Sequence, residues 1–168
     1  MPRISEIVIY DIKKVGLQDI DYGNKKIKVT IAKNWAEAYE QSDIVITCTV
    51  SGGAYIDKKP KLGSLLLNVS LRDYKTDVFK YVKDSIIVDD WDEVCREKTD
   101  IEFFHKGCNL QKENTKSIVD VVISDCLRSY DPQTPIMFNP MGMGIFDIAI
   151  AKYYFDLAQQ NNAGLLLK

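Results

Sequence analysis

The sequence predicts an α/β domain: a mostly parallel sheet with flanking helices. Two patterns carry that prediction. Short, continuous apolar runs of strand length recur along the chain, as expected of strands covered on both faces. Helical or crossover stretches separate them, as parallel pairing requires.

The elements follow in order. "EIVIYD" (6–11) is an apolar run ending in an acid and reads as a strand buried on both faces, interior to the sheet. "KIKVTIA" (26–32) alternates and is rich in β-branched residues, which suits a half-buried or edge strand. "NWAEAYEQS" (34–42) reads as a short helix with Asn34 as N-cap and Glu37 in the capping-box position. "DIVITCTV" (43–50) and "SLLLNVS" (64–70) are further buried strands, the first followed by the turn "SGG". "SIIVDDW" (85–91) is another, ending in acids. "KSIVDVVISDCLRSY" (116–130) places Ile118, Val121, Val122 and Cys126 at helical spacing. "PIMFNP" (135–140) is the last strand. A Gly-Met-Gly turn then opens a helix over about 143–160, with Ile145, Ile148, Ala149 and Tyr153 expected in the core. No repeat, low-complexity tract or linker divides the chain, so residues 1–168 read as a single domain.

Composition narrows the function. The chain has 22 basic and 24 acidic side chains and a formal net charge of −2. It has no basic stripe for nucleic acid and no polybasic patch for a membrane surface. The cysteines, Cys48, Cys95, Cys108 and Cys126, form no CxxC pair of the kind a zinc cluster needs. They are expected to be reduced, with Cys48 a small hydrophobe inside its strand. No signal-peptide core or membrane-length apolar run is present. The expected location is the cytoplasm.

In a doubly wound dinucleotide domain, the first strand leads into a GxGxxG turn, and the second ends in an acid that accepts from the adenosine ribose. That acid lies about 20 residues beyond the glycines. "EIVIYD" has the form of such a second strand, with Asp11 as the acid. Counting back runs past Met1. The expectation is therefore a Rossmann-like domain lacking the first strand and its glycine turn. A plainer role for Asp11 is capping the next turn. Ligands of open parallel sheets bind beyond the carboxyl ends of the strands. Thr47, Cys48, Thr49 and Val50 would lie along that rim, as would Ser70, Leu71, Arg72 and Asp73.

"SDIVITCTVS", "LLNVSLRDY", "SIIVDDWDEV" and "MFNPMGMGIFDIAIAKYYFDLAQQNNAGLLL" occur in the order found in the ornithine cyclodeaminase/mu-crystallin family, which this chain resembles from about residue 5 to 168. The similarity is greatest to the siderophore- and antibiotic-pathway branch that forms 2,3-diaminopropionate. The resemblance implies NAD-dependent oxidation of an N-substituted amino acid to an imine, followed by hydrolysis or cyclisation. It implies Asp73 as the catalytic acid/base and Arg72 as a substrate contact. Their alternative is a surface Arg–Asp pair of little energetic weight. It also implies cofactor contacts from Asp11, Thr47, Cys48, Thr49, Ser70 and Leu71. The Pro140–Gly144 turn would set Gly142 and Met143 beside the nicotinamide, where glycine permits close approach and positive φ.

Other acids have simpler roles. Asp147 complements the dipole of the last helix. Asp90 caps the helix at "WDEVCRE", and adjacent Asp89 and Asp90 would point to opposite faces of a strand. His105 lies in a partly buried amphipathic segment with no nucleophile beside it.

Family members bind substrate through a separate domain formed by the N-terminal part of the protein. The chain is expected to be the C-terminal, NAD-binding part of such a dehydrogenase, truncated and inactive alone, with NAD binding weakened or lost. The contrasting expectation is a stand-alone, non-catalytic binding or oligomerisation module. The predicted partners are a small amino acid substrate and, through exposed strand edges, another chain, a homo-oligomer among the options. Neither nucleic acid nor membrane is expected.

Overall fold

A computed structural model describes residues 4–13, 15–16 and 27–165. Lys26 of the expected second strand and the last two residues of the C-terminal motif lie outside the described residues.

Two parallel sheets form. The smaller pairs β1 (Glu6–Ile9) with β2 (Lys28–Ile31), in the register Ile7 with Val29 and Ile9 with Ile31. The larger has five strands in the order β3 (Ile44–Thr47), β4 (Leu65–Asn68), β7 (Ile136–Asn139), β5 (Ile86–Val88), β6 (Lys116–Ser117). Helix α1 (Trp35–Glu40) carries the chain from one sheet to the other. The side chain of Asn34 accepts from the Glu37 amide as the N-cap, as expected.

Paired residues of parallel strands share a face, and successive residues alternate. One face of the large sheet therefore carries Val45, Leu66, Met137 and Ile86, and the other Ile44, Leu65 and Ile136, with Ile46, Leu67, Phe138 and Ile87 a step further on. The first face is the core. Leu66, Met137, Ile86 and Val88 are buried there against Tyr39 of α1, Val82 of α2 (Phe79–Val82), Val94 of α3 (Trp91–Val94), and Ile101 and Phe104 of α4 (Asp100–Cys108). The second face is covered at Ile87, half-covered at Leu65, Leu67, Ile136 and Phe138, and open at Ile44 and Ile46.

Several expectations are corrected. Strand β1 is not interior: among the described residues it pairs with β2 alone, and Ile7, Val8 and Ile9 are half-buried. Strand β3 is not covered on both faces, because no helix packs over Ile44 and Ile46 among the described residues. Residues 116–130 are not one helix. A Ser117–Asp120 capping box starts α5 (Ile118–Val122), and Asp125, at φ 51°, turns the chain left-handed before a short 3-10 turn. Helix α6 (Gly144–Gln160) forms as expected, yet it buries no residue. Ile145, Ile148, Ala149 and Tyr153 are all exposed rather than in the core. Isoleucine, phenylalanine and tyrosine occupy every side of α6, so no single apolar stripe directs it onto the sheet.

Candidate dinucleotide and substrate site

The carboxyl ends of β3, β4 and β7 converge on a buried polar network. Asn68 ends β4 and Asn139 ends β7, and both are fully buried. Asn68 Nδ2 donates to Asn139 Oδ1 at 2.8 Å and to Asp100 Oδ2 at 2.9 Å. Asn68 Oδ1 accepts from Thr47 Oγ1 at 3.1 Å and from the Leu71 amide at 3.2 Å. Asn139 Nδ2 donates to the carbonyls of Ile87 and Met137. One side chain thus ties three strand ends to the first turn of α4. Buried polar groups must be partnered in this way or carry a desolvation cost.

Asp100 fastens the loop after β4. Its Oδ2 accepts from the amides of Asp73 (3.1 Å) and Tyr74 (3.2 Å), and its own amide donates to Leu71 O at 2.7 Å. Leu71 sits at φ 61°, a left-handed conformation that is rare for a non-glycine residue. Bonds to its amide and its carbonyl hold it there, as a strained residue requires. Burial lifts the Asp100 carboxyl from 3.8 to about 6, against the opposing pull of Asn68 and the two amides. Its Oδ1 is buried without a partner.

Asp73 is fully buried. Its carboxylate accepts from Thr49 Oγ1 at 2.5 Å and from the Ser70 hydroxyl, joining the β3 loop to the β4 loop. Arg72 forms no pair with it. The guanidinium lies at the surface and donates to Glu97 O at 3.2 and 3.0 Å. The anticipated surface Arg–Asp pair is therefore not formed, because consecutive residues of this loop face opposite ways.

Asp89, just past β5, accepts from the Gly142 amide at 2.7 Å and from the Asp90 amide at 2.8 Å. It anchors the glycine turn to the sheet. Gly142 has φ +87°, and an added Cβ would meet nothing within 4 Å, so backbone conformation rather than space calls for glycine there. Met143 is the N-cap residue of α6, and Asp147 lies in its first turn. Asp90 caps α3 by accepting from the Glu93 amide, as expected. His105 Nδ1 lies 2.6 Å from Leu110 O, and its ring meets the Trp91 ring edge-on.

A cleft of about 910 Å³ runs between the two sheets, lined by Val8, Tyr10 and Asp11 on one side and by Ile44 through Ser51 on the other. Asp11 is exposed at its rim, with Oδ1 accepting from the Lys13 amide at 2.7 Å. That is the turn-capping geometry. Thr47, Cys48 and Thr49 line the same cleft. Cys48 is exposed there, not packed as a core hydrophobe. All four cysteines are free thiols, and no cluster of metal-ligating side chains occurs among the described residues.

The structure thus gathers Thr47, Thr49, Ser70, Leu71 and Asp73 at one rim, with Asp11 across the cleft and Arg72 turned away. Sequence reasoning missed Asn68, Asn139, Asp100 and Asp89. A signal existed for the asparagines: "LLLN" and "IMFN" are the same pattern, an apolar strand closed by an amide.

A parallel sheet with a polar rim at its strand ends, an acid beside the cleft and a glycine turn into the last helix defines the dinucleotide-binding class of α/β domain. Within that class the chain belongs to the ornithine cyclodeaminase/mu-crystallin family, whose model matches residues 1–162. It is 33% identical over 144 residues to the N-((2S)-2-amino-2-carboxyethyl)-L-glutamate dehydrogenase of Staphylococcus aureus, a match covering 84% of this chain and 43% of that protein. The chain thus spans less than half the length of that relative. The fold matches Thermococcus litoralis Δ1-pyrroline-2-carboxylate reductase in complex with NADH and L-proline, at TM-score 0.78 and 18% identity, over 97% of this chain and 53% of that one. It also matches an archaeal alanine dehydrogenase dimer with bound NAD, at TM-score 0.75 and 20% identity, over 98% and 52%. These likenesses establish the Rossmann-like fold. No helix among the described residues is long and apolar enough to cross a membrane.

Proposed function

We propose that residues 1–168 form the C-terminal, NAD-binding part of an amino acid dehydrogenase of the cyclodeaminase type. The observation that carries this reading is the meeting of the Thr47–Thr49 and Ser70–Asp73 loops at one rim of an open cleft, with Asp11 facing them. The cleft fits an extended dinucleotide: apolar walls at Val8 and Ile46, a carboxylate at Asp11, and hydroxyls at its rim. NAD would supply the hydride acceptor. Asp11 would accept from the adenosine ribose hydroxyls, and a carboxylate there disfavours the 2′-phosphate of NADP. Thr47, Cys48, Thr49, Ser70 and Leu71 would line the middle of the cofactor. Gly142 and Met143 would face the nicotinamide.

Asp73 is proposed as the acid/base. Being buried, it reaches the cleft through the Thr49 hydroxyl, which can pass a proton between bulk-facing groups and the carboxylate. Arg72 is proposed to meet the substrate carboxylate after exchanging its bond to Glu97. By the relative's name, the substrate class is an N-(carboxyalkyl) amino acid; the family resemblance adds oxidation at Cα to an imine that water then opens, releasing 2,3-diaminopropionate, and we place this step in a cytoplasmic siderophore-type pathway.

The reading includes weakened cofactor binding and no turnover by this chain alone, because the glycine-rich phosphate turn is not among its residues. A second reading, a non-catalytic binding or oligomerisation module, is favoured by α6, which buries none of its residues. Saturation-transfer NMR with millimolar NAD separates the two. Saturation of the adenosine protons, lost in Asp11→Ala, is expected. No transfer from the wild-type chain would overturn the NAD reading.

A further inference from the structure

Every polar atom of Asp73 is bonded. Its carboxylate accepts from the Thr49 and Ser70 hydroxyls. Its carbonyl accepts from the amides of Tyr55 at 2.9 Å and Ile56 at 2.8 Å. Its own amide donates to Asp100 Oδ2 at 3.1 Å. The two backbone clamps differ in kind. The one at the carbonyl joins main chain to main chain and does not depend on side-chain identity. The one at the amide rests on a single side chain. Among the described residues, Asp100 is the one side chain bonded to the backbone that carries the Asp73 carboxylate.

Asp100 is itself held from the opposite side. The Thr99 hydroxyl caps α4 by accepting from the Glu102 amide, and it donates to Val94 O. Ile101 and Phe104 of the same helix are buried in the core. The carboxyl thus stands on a packed helix, and groups on packed elements are placed more precisely than groups on loops. Its two oxygens are unequally used. Oδ2 receives three donors, from Asn68, Asp73 and Tyr74, whereas Oδ1 is buried without a partner. A proton on Oδ1 leaves those three bonds in place. It also removes a buried negative charge that the Asp73 carboxylate would otherwise face. Burial raises the Asp100 carboxyl to about 6. Besides Asp73, the phenols of Tyr55 and Tyr74 feel its charge.

We propose that Asp100 is a positioning residue for Asp73. Its carboxyl, carried on the first turn of α4, pins the Asp73 amide and so aims the Asp73 carboxylate at the Thr49 hydroxyl, which lines the cleft. Asp100 does not line the cleft itself, so it acts through Asp73 and not on a ligand. The inference rests on the reading of Asp73 as the acid/base, but the pinning is measured without turnover.

Amide exchange and carboxyl NMR of the chain, with no dinucleotide added, test the proposal. In Asp100→Ala the amides of Asp73 and Tyr74 should exchange about tenfold faster or more, while those of Tyr55 and Ile56 keep their protection. Asp100→Asn retains an acceptor and should restore slow exchange at Asp73 and Tyr74. Equal acceleration at all four amides would assign Asp100 to general stability and overturn the proposal. So would unchanged exchange at Asp73 and Tyr74 in Asp100→Ala. The 13Cγ resonance of Asp73 gives a readout that stability alone does not move. In the wild-type chain it should show an inflection near pH 6, as Asp100 titrates beside it, and Asp100→Asn should abolish that inflection. Its absence from the wild-type chain, or its survival in Asp100→Asn, would equally overturn the proposal. The pH titration does not need Asp100→Ala, so it decides the matter even where that variant fails to fold. None of these readouts involves cofactor or turnover, so they succeed or fail independently of the acid/base reading.

Discussion

The two faces of the five-stranded sheet come from the same few residues and meet opposite fates. Leu66 and Leu67 are neighbours on β4, as are Met137 and Phe138 on β7. The first of each pair is fully buried, the second only half so, and on β3 the open face is outright exposed at Ile44 and Ile46. The difference lies in what covers each face: four helices, α1 to α4, on one, and, among the described residues, no packed helix above Ile44 and Ile46 on the other. Strand formation therefore does not depend on two-sided coverage here. One well-packed face and the Asn68–Asp100–Asn139 network suffice to hold β4, β5 and β7.

A matched pair of truncations probes this contrast with the largest effect. Leu66→Ala opens a cavity among buried neighbours and should lower stability by about 3 kcal/mol or more. Ile46→Ala, one strand away on the open face, should change it by no more than about 0.5 kcal/mol. Urea denaturation of both variants reads the difference. Equal losses would mean that the open face is packed in solution.

The polar network gives the next effect, with a definite sign. The folded carboxyl of Asp100 titrates at about 6 against 3.8 unfolded. Its contribution is thus fully present below about pH 4 and lost as pH rises through 6, because there the unfolded chain gives up its proton first. That shift corresponds to about 3 kcal/mol. Asp100→Asn keeps an acceptor for Asn68, Asp73 and Tyr74 and removes the titration. Wild-type stability relative to this variant should therefore fall between pH 4 and 7. A flat difference would mean that Asp100 is ionised without penalty.

The turn before α6 gives a smaller effect. Gly142→Ala meets no steric neighbour but must adopt φ +87°, which should cost about 1 kcal/mol. The loss should be read in thermal unfolding and should leave the Asp89 bond in place.

The contrast also marks what the sequence could convey. "SLLLNVS" and "PIMFNP" are legible as strands because an apolar run of that length has few other uses, and Asn34 and Asp90 announce helix starts by local chemistry. Coverage is not local. The run "DIVITCTV" reads the same whether one face of β3 is covered or both, and Ile145 or Tyr153 reads as core whether or not a surface is there to receive α6. The Asn68–Asn139 bond joins residues 71 apart in the chain, so no window of sequence contains it. Asp73 was found as a residue of interest, but its burial follows from Thr49 and Ser70 closing over it, a pairing of two loops that only the fold brings together.

Ile44→Lys should have the smallest effect on stability and is the most direct test of the open face. A lysine on a packed parallel sheet would bury a charge, with a loss of several kcal/mol. On a face open to water, its stem can lie along Leu65 while the ammonium stays solvated, and the change should remain within about 0.5 kcal/mol. The variant should also be more soluble, because it breaks up a contiguous apolar surface. Unchanged urea midpoint with reduced self-association by sedimentation would place the apolar surface outside the folding core. A large fall in the midpoint would instead show that β3 has two covered faces, and that the asymmetry between Leu66 and Ile46 has another origin.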